Sequence, residues 1–369
     1  MKLQREPRVA AAATPLLIRL GEPAIFQPTS SPSRPHAALE AGVWLVCIFA
    51  TIFATYLIRR FAVAVDHASI VAALAMLGFL MAVYIVYGRS RGSPGLSNLC
   101  GALAAMTCSG VMGGIISLVG LRYHAPMIDA ELAQWDRAVG IDVPLIVAWA
   151  AHHPFWSGIL VVTYDSSFPL LFGLTVLLAL TRRFDQLWLL AFVFATTVLM
   201  STSISVVWPA KGAFAFFDYP PSLLAQLPHG AGIYHLQDFD YFRSGLSPVL
   251  SFTRLEGVVT FPSLHCCLAL MAIFATRDLR WLFPISLSWN ALVIMSALPI
   301  GGHYGMDLPG GALLWLVATL AGLAIGKQPT PYWIGYLTLH QDTERPYVLS
   351  SDFAVHAKPD EFRDLSRQG

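Results

Sequence analysis

The sequence has few charged residues for a chain of its length. Charged residues make up 12% of its 369 residues, whereas hydrophobic residues make up 56%. The mean hydropathy is +0.61. An ordinary soluble domain carries roughly twice this share of charge. The composition therefore excludes that class and indicates an integral membrane protein.

Basic clusters and metal-binding cysteine patterns are also missing. The net charge is +1, and the basic residues are scattered among linkers, which argues against a nucleic-acid partner. The five cysteines lie in apolar runs without metal-ligand spacing to histidine, so we interpret them as small buried hydrophobic residues. They are Cys47, Cys100, Cys108, Cys266 and Cys267. We expect neither disulfides nor a metal.

The two ends of the sequence lack sustained apolar patterns, and no apolar core of signal-peptide length stands near the start. We interpret residues 1–40 and 327–369 as flexible cytoplasmic tails. Between them, runs of about twenty apolar residues predict an all-α, polytopic bundle of about eight membrane spans. The predicted spans lie near residues 41–58, 69–87, 98–120, 155–181, 186–208, 262–280, 281–301 and 306–326.

Charge in the linkers predicts the orientation of these spans. With an even count both tails share one side, and that side has Arg89, Arg91, Arg182, Arg183, Arg277 and Arg280 in its linkers. The positive-inside rule makes this side cytoplasmic, so segments 122–154 and 209–261 face away from the cytosol. Arg59 and Arg60 disagree with this orientation.

Two segments between the spans are too polar to cross a membrane. Met127 to Pro154 mixes acidic and apolar residues and is expected to form interfacial helices. Pro209 to Thr260 is rich in aromatic residues and is typical of a lid or substrate-binding loop.

Two short motifs carry the chemistry. The first is Phe261-Pro262-Ser263-Leu264-His265, and Gly301-Gly302-His303-Tyr304-Gly305-Met306-Asp307 follows about 38 residues later. Each apolar run between them is about long enough to cross a bilayer, so the chain returns to the same face. The two histidines can therefore meet.

The residue types in these motifs suit phosphate chemistry. Pro262 and Ser263 are typical of a helix start, where free amides and the positive end of the helix dipole favour phosphate. If Gly302 to Leu308 opens a helix, His303 and Asp307 share a face and the carboxylate orients the imidazole. Gly302 permits close backbone approach, although such glycines are also common in membrane helix packing.

Phosphoryl transfer also needs cations near the phosphate oxygens. Lys211, Arg243 and Arg254 are the candidate substrate-binding cations on the site face. Arg254 could instead pair with Glu256 in an exposed salt bridge. Asp165, within a predicted span, is interpreted as a partner of Lys211 or of an arginine, with a substrate-hydroxyl ligand or a misplaced span boundary as the alternatives.

The motifs resemble those of the type 2 phosphatidic acid phosphatase superfamily of lipid phosphatases and phosphotransferases. Its Pro-Ser-x-His motif matches Pro262 to His265, and its Ser-Arg-x5-His-x3-Asp motif matches Ser296, His303 and Asp307. Alanine stands at position 297 where that pattern has arginine, and the Lys-x6-Arg-Pro motif has no clean match. In these departures the sequence resembles the inositol phosphorylceramide synthase-like branch, whose bacterial members share this layout.

The resemblance implies a catalytic domain at residues 122–326, preceded by accessory spans at 41–121, in a bacterial inner membrane. It implies that His303 attacks phosphorus, that Asp307 orients His303, and that His265 protonates the leaving oxygen. Ser263, Gly302, Lys211, Arg243 and Arg254 would bind a membrane lipid substrate, without a cofactor. Phosphatase and transferase both fit. The alternative is a non-catalytic lipid transporter or scaffold, motivated by Ala297.

Overall fold

Long apolar runs form helices in this chain because a helix satisfies its backbone N–H and C=O groups without water. The computed structural model describes residues 36–89, 92–244, 247–252, 255 and 257–328. Nearly all of the two predicted tails lies outside the described residues, and so does Arg254.

Fourteen helices account for most of the described chain. They are α1 (Ala37–Arg60), α2 (His67–Arg89), α3 (Pro94–Gly120), α4 (Asp129–Ala138), α5 (Val143–His152), α6 (Pro154–Asp165), α7 (Ser167–Leu180), α8 (Phe184–Val207), α9 (Ala213–Phe216), α10 (Pro221–Leu224), α11 (Leu236–Arg243), α12 (Leu264–Thr276), α13 (Leu282–Ser296) and α14 (Asp307–Ile325). A 3₁₀ turn at Leu121–Tyr123 follows α3.

The described chain also contains a pair of short β-strands. The two-residue strands β1 (Ala64–Val65) and β2 (Val249–Leu250) pair in parallel, with Ala64 opposite Val249 and Val65 opposite Leu250. This pair ties the linker after α1 to the segment after α11. It is an addition to the predicted all-α class.

The membrane character of the chain is confirmed. Within the described residues, α1, α2, α3, α8 and α14 are five helices long and apolar enough to cross a membrane. A sixth span results if α5 and α6, which meet at an angle of 111°, count as one broken span. The predicted count of about eight is not reached by this criterion and stays a prediction.

The difference arises where the predicted spans are short or broken. The predicted span at 155–181 consists of α6 and α7, which Ser166 separates, and those at 262–280 and 281–301 contain only the short helices α12 and α13. The predicted interfacial segment contains α4 and α5. Asp142 starts α5, because its carboxylate accepts a hydrogen bond from the backbone N–H of Leu145 at 3.0 Å.

Helix packing gives the bundle two distinct ends. Helices α3 and α8 pack against each other and against α1, while α12 packs between α7, α8, α13 and α14. Asp185 at the start of α8 contacts His36 beside α1, and its carbonyl oxygen accepts a hydrogen bond from Gln328 beyond α14. Gln186 donates to Asp278, which follows α12. Since α12 and α14 end here, both begin at the opposite end, where the two motifs lie.

Candidate functional site

The first motif lies at the start of α12. Ser263 is the residue before the helix, and its buried hydroxyl accepts a hydrogen bond from the backbone N–H of Cys266 at 3.4 Å. The predicted helix start is therefore present. The start of α12 is joined to the second motif, because the backbone N–H of Ser263 donates to the carbonyl oxygen of Asp307 at 3.0 Å.

The second motif forms a turn rather than the predicted helix across residues 302–308. Helix α14 begins only at Asp307, and Gly302 has a φ of 75°, which is incompatible with an α-helix. The turn nevertheless brings His303 Nδ1 within 3.0 Å of Asp307 Oδ2, and the same oxygen accepts the backbone N–H of Tyr304 at 2.9 Å. The contact between His303 and Asp307 was expected, but a turn produces it instead of a helix.

The two motifs meet at His303. Its Nε2 atom lies 3.4 Å from the Oγ atom of Ser263. Because the carboxylate of Asp307 can only accept, Nδ1 of His303 carries the proton and Nε2 keeps its lone pair. The lone pair points toward the start of α12.

His265 lies on the other side of this space. Its ring stacks on Tyr164 at a centroid distance of 3.9 Å and meets the edge of Phe168 at 6.0 Å. The ring centroids of His265 and His303 are 6.2 Å apart. Neither ring nitrogen of His265 is hydrogen-bonded to another residue in the described part of the chain. As far as the described residues go, both nitrogens are therefore available to a ligand.

Two loops close around Gly302. The backbone N–H of Ala213 donates to the carbonyl oxygen of Gly302 at 2.9 Å, and that of Gly232 donates to the carbonyl oxygen of Ile300 at 2.7 Å. A Cβ atom at position 302 would lie 2.9 Å from the carbonyl oxygen of Gly232. Gly302 is therefore required for the approach of the loop at 230–235, while direct contact with a substrate stays a prediction.

The loop at 230–235 brings a third histidine that sequence reasoning missed. His235 is buried, and its Nε2 atom donates to the carbonyl oxygen of Lys211 at 2.9 Å. Burial lowers the pKa of His235 below its usual range, and the neighbouring His303 acts in the same direction. No spacing pattern marked His235, because it lies in a loop far from both motifs.

Two tyrosines extend the wall beside His265. The hydroxyl groups of Tyr164 and Tyr234 lie 2.5 Å apart, which joins α6 to the loop at 230–235. Tyr164 is buried, whereas Tyr234 is 42% exposed. Aromatic content indicated a substrate loop in this region but could not select these two residues.

Two buried carboxylates from α4 hold the backbone of the site. Asp129 accepts the backbone N–H groups of Lys211 and Gly212 at 3.0 and 2.9 Å, and the hydroxyl of Tyr304 at 2.9 Å. Asp136 accepts the N–H groups of Gly305 and Met306, each at 2.8 Å. Sequence reasoning missed both carboxylates, although they lie seven residues apart on one helix.

The pKa values of Asp136 and Tyr304 are both raised in this part of the site. Burial raises the pKa of Asp136, and the two backbone N–H groups that it accepts act in the opposite direction. Burial and the carboxylate of Asp129 raise the pKa of Tyr304 far above its usual range. Tyr304 is therefore a hydrogen-bond donor and not an anion at physiological pH.

Two of the three predicted cations, Lys211 and Arg243, have protein partners. Lys211 Nζ lies 2.8 Å from Asp240, and Arg243 donates to the carbonyl oxygen of Ala125 at 2.8 Å. Their role as phosphate ligands stays a prediction. The proposed pairing of Asp165 with Lys211 is wrong, because Asp165 is exposed and Lys211 pairs with Asp240.

The side chain at position 297 cannot bind phosphate. Ala297 is fully buried in an apolar cluster with Tyr164, Leu298 and Ile300. A cation cannot act from this position in the present sequence. The predicted phosphate site would therefore need its charge from the helix start or from a side chain elsewhere.

Comparison with known proteins gives one match. The family model described as PAP2 superfamily matches residues 130–321, which is more than half of the chain and includes both motifs. No curated protein and no solved structure matches the chain.

Proposed function

This chain belongs to the PAP2 superfamily, and on that basis we propose that it is an integral membrane enzyme that transfers the phosphoryl group, or a phosphate-bearing headgroup, of a phosphorylated lipid. Members of the superfamily are generally phosphatases or phosphotransferases. The observation that carries the proposal is the contact of His303 with both Asp307 and Ser263.

The first half-reaction uses His303 as the nucleophile. Its Nε2 lone pair attacks phosphorus while the bond from phosphorus to the lipid oxygen breaks, which gives a phosphohistidine. Asp307 keeps the proton on Nδ1 and stabilises the positive charge that develops on the ring. Ser263 and the amides at the start of α12 bind the phosphate oxygens.

His265 handles the protons in this proposal. The anionic phosphate of a bound substrate favours its imidazolium form, which donates a proton to the leaving oxygen. Neutral His265 then takes the proton of the incoming hydroxyl group, whose oxygen attacks phosphorus. The bond to Nε2 breaks and its electron pair returns to His303.

The acceptor decides the reaction class. Water as acceptor makes the enzyme a phosphatase, and an alcohol makes it a transferase of the inositol phosphorylceramide synthase-like type. Tyr164 stacks on His265 and its hydroxyl group contacts that of Tyr234, so these two tyrosines would line the acceptor pocket.

Orientation forms part of the proposal. Arg182, Arg183 and Arg277 lie at the bundle end opposite the two motifs, as the packing of α7, α8 and α12 shows. By the positive-inside rule this end is cytoplasmic, so the site faces the non-cytoplasmic side.

A second candidate function is a non-catalytic lipid transporter or scaffold. It is favoured by the apolar burial of Ala297 and by the engagement of Lys211 and Arg243 with protein groups. It predicts that His303→Ala leaves function intact.

One experiment separates these candidates. Detergent-purified protein is given a panel of lipid phosphates, and separately a labelled phospholipid headgroup donor with ceramide or diacylglycerol, beside His303→Ala. Release of phosphate that the variant lacks identifies a phosphatase, and label on the acceptor identifies a transferase. Folded wild-type protein that gives neither signal contradicts the enzymatic proposal.

The covalent intermediate has its own test. Brief reaction with a lipid labelled in its phosphoryl group, followed by denaturation, should leave acid-labile, base-stable label on the wild-type chain. His303→Ala should carry none.

A further inference from the structure

Within the described part of the chain, the two buried carboxylates of α4 lack the cations with which buried charges normally pair. Asp136 and Asp129 are 2% and 6% exposed. Neither lies in a salt bridge with any cation among the described residues. A buried carboxylate without a cation is costly, and an apolar side chain would pack there without that cost. Their hydrogen bonds go almost entirely to the backbone of the site.

Asp136 holds the centre of the turn in the second motif. Its two oxygens accept the N–H groups of Gly305 and Met306, the residues midway between His303 and Asp307. Gly305 allows this approach, because a Cβ atom there would lie 3.1 Å from Asp136 Oδ1 and 2.6 Å from the side chain of Ile141. The position of Asp136 therefore fixes the distance between the two ends of the turn.

Asp129 joins this turn to the loop beside it. It accepts two consecutive N–H groups of that loop, from Lys211 and Gly212, together with the hydroxyl of Tyr304. The next residue, Ala213, donates to the carbonyl oxygen of Gly302. One carboxylate thus fixes both sides of His303.

We propose that Asp136 and Asp129 are positioning residues, which hold the turn that carries His303 and Asp307 in the geometry needed for attack on phosphorus. The proposal rests on the proposed function. Neither carboxylate touches the substrate, and both act through the backbone and Tyr304. A small displacement of a nucleophile slows the chemical step far more than it weakens substrate binding.

The main test is Asp136→Asn. Asparagine has one acceptor oxygen, and its NH₂ group would face an N–H group that needs an acceptor. We expect kcat to fall about 10- to 100-fold while KM changes less than about threefold. Vanadate copies the five-coordinate transition state, so its inhibition constant should rise in parallel with the loss of kcat/KM.

The matched control is Glu131→Gln, which removes a carboxylate from an exposed position of the same helix. It should keep the wild-type kcat and vanadate inhibition. Tyr304→Phe is the second variant, because it removes only the hydroxyl that donates to Asp129. It should lower kcat several-fold while the protein stays folded, even if Asp136→Asn does not fold.

The outcomes separate this inference from the proposed function. Wild-type turnover that His303→Ala abolishes, together with normal kcat in folded Asp136→Asn and in Tyr304→Phe, overturns the positioning role alone. A loss of kcat without any rise in the vanadate inhibition constant also overturns it. Folded wild-type protein without turnover removes the proposed function and this inference together.

Discussion

The hydroxyl oxygen of Ser263 lies 3.4 Å from Nε2 of His303, although 40 positions separate the two residues. This contact joins the start of α12 to the turn before α14. Its consequence is chemical: the lone pair that we propose as the nucleophile faces the hydroxyl group at the start of α12, and a helix start is where a phosphate group would bind.

The role of His265 predicts a dependence on the leaving group. A general acid matters most when the leaving oxygen is strongly basic. We expect His265→Ala to lose about 10²- to 10⁴-fold in kcat/KM with a lipid phosphate but much less with an aryl phosphate. The measurement is the ratio of the two losses.

Phe168→Leu is a suitable control, because Phe168 touches the edge of His265 without a titratable group. It should lower both activities by a similar factor. Equal losses for both substrates in His265→Ala would contradict the general-acid role.

Gly302→Ala should damage the site through the backbone. Its φ of 75° is unfavourable for alanine, and the added Cβ atom would lie 2.9 Å from the carbonyl oxygen of Gly232. We expect a loss of about 1–3 kcal/mol in stability and a lower kcat, since the loop at 230–235 must move. Apparent melting temperature and kcat are the measurements.

Gly158→Ala is the control for that substitution. Gly158 lies in α6, and a Cβ atom there would have no neighbour within 4 Å. Helix propensity favours alanine by up to about 1 kcal/mol, so this variant should be as stable as the wild type or more stable. A Gly302→Ala protein that melts and turns over normally would show that the loop approach is unimportant.

His235 should make stability depend on pH. Burial holds its pKa below the usual value in the folded protein. In the unfolded chain a histidine takes up a proton near about pH 6.5. As the pH falls through this value toward the lowered pKa, only the unfolded state gains the proton, so stability falls.

The test compares the drop in apparent melting temperature between about pH 8 and pH 5.5 in wild type and His235→Gln. Glutamine can still donate to the carbonyl oxygen of Lys211 but does not titrate, so the drop should be smaller. His229→Gln alters an exposed histidine of the same segment and should keep the wild-type drop. An unchanged drop in His235→Gln would assign the pH dependence to other groups.

Of the two predicted cations that the structure describes, Lys211 is the one whose backbone lies in the site. Its ion pair with Asp240 is partly exposed and is worth little on its own, so the ammonium group can turn to a phosphate. We expect Lys211→Met to raise KM about tenfold, since a charge-assisted hydrogen bond is lost.

Asp240→Asn provides the matched comparison. It frees the ammonium group without removing it and should leave KM unchanged or lower it. If both variants keep the wild-type KM, Lys211 serves only the ion pair and another group supplies the charge.

Local sequence identified part of this site. Pro262 and Ser263 predicted the start of α12, and the spacing of His303 and Asp307 predicted that their side chains meet. The helix assumed for that second pairing is wrong, because Gly302 has a positive φ and Asp136 takes the N–H groups of Gly305 and Met306. A spacing of four residues fits a turn as well as a helix.

Composition and contacts between near neighbours were enough to predict the membrane character, the positions of the long apolar helices and the two motifs. Tertiary packing was needed to reveal the partners of Lys211 and Arg243, the burial of Ala297, and the presence of His235, Asp129 and Asp136 in the site. Those contacts join residues far apart in the chain. They depend on how helices and loops pack, which no local pattern of residues encodes.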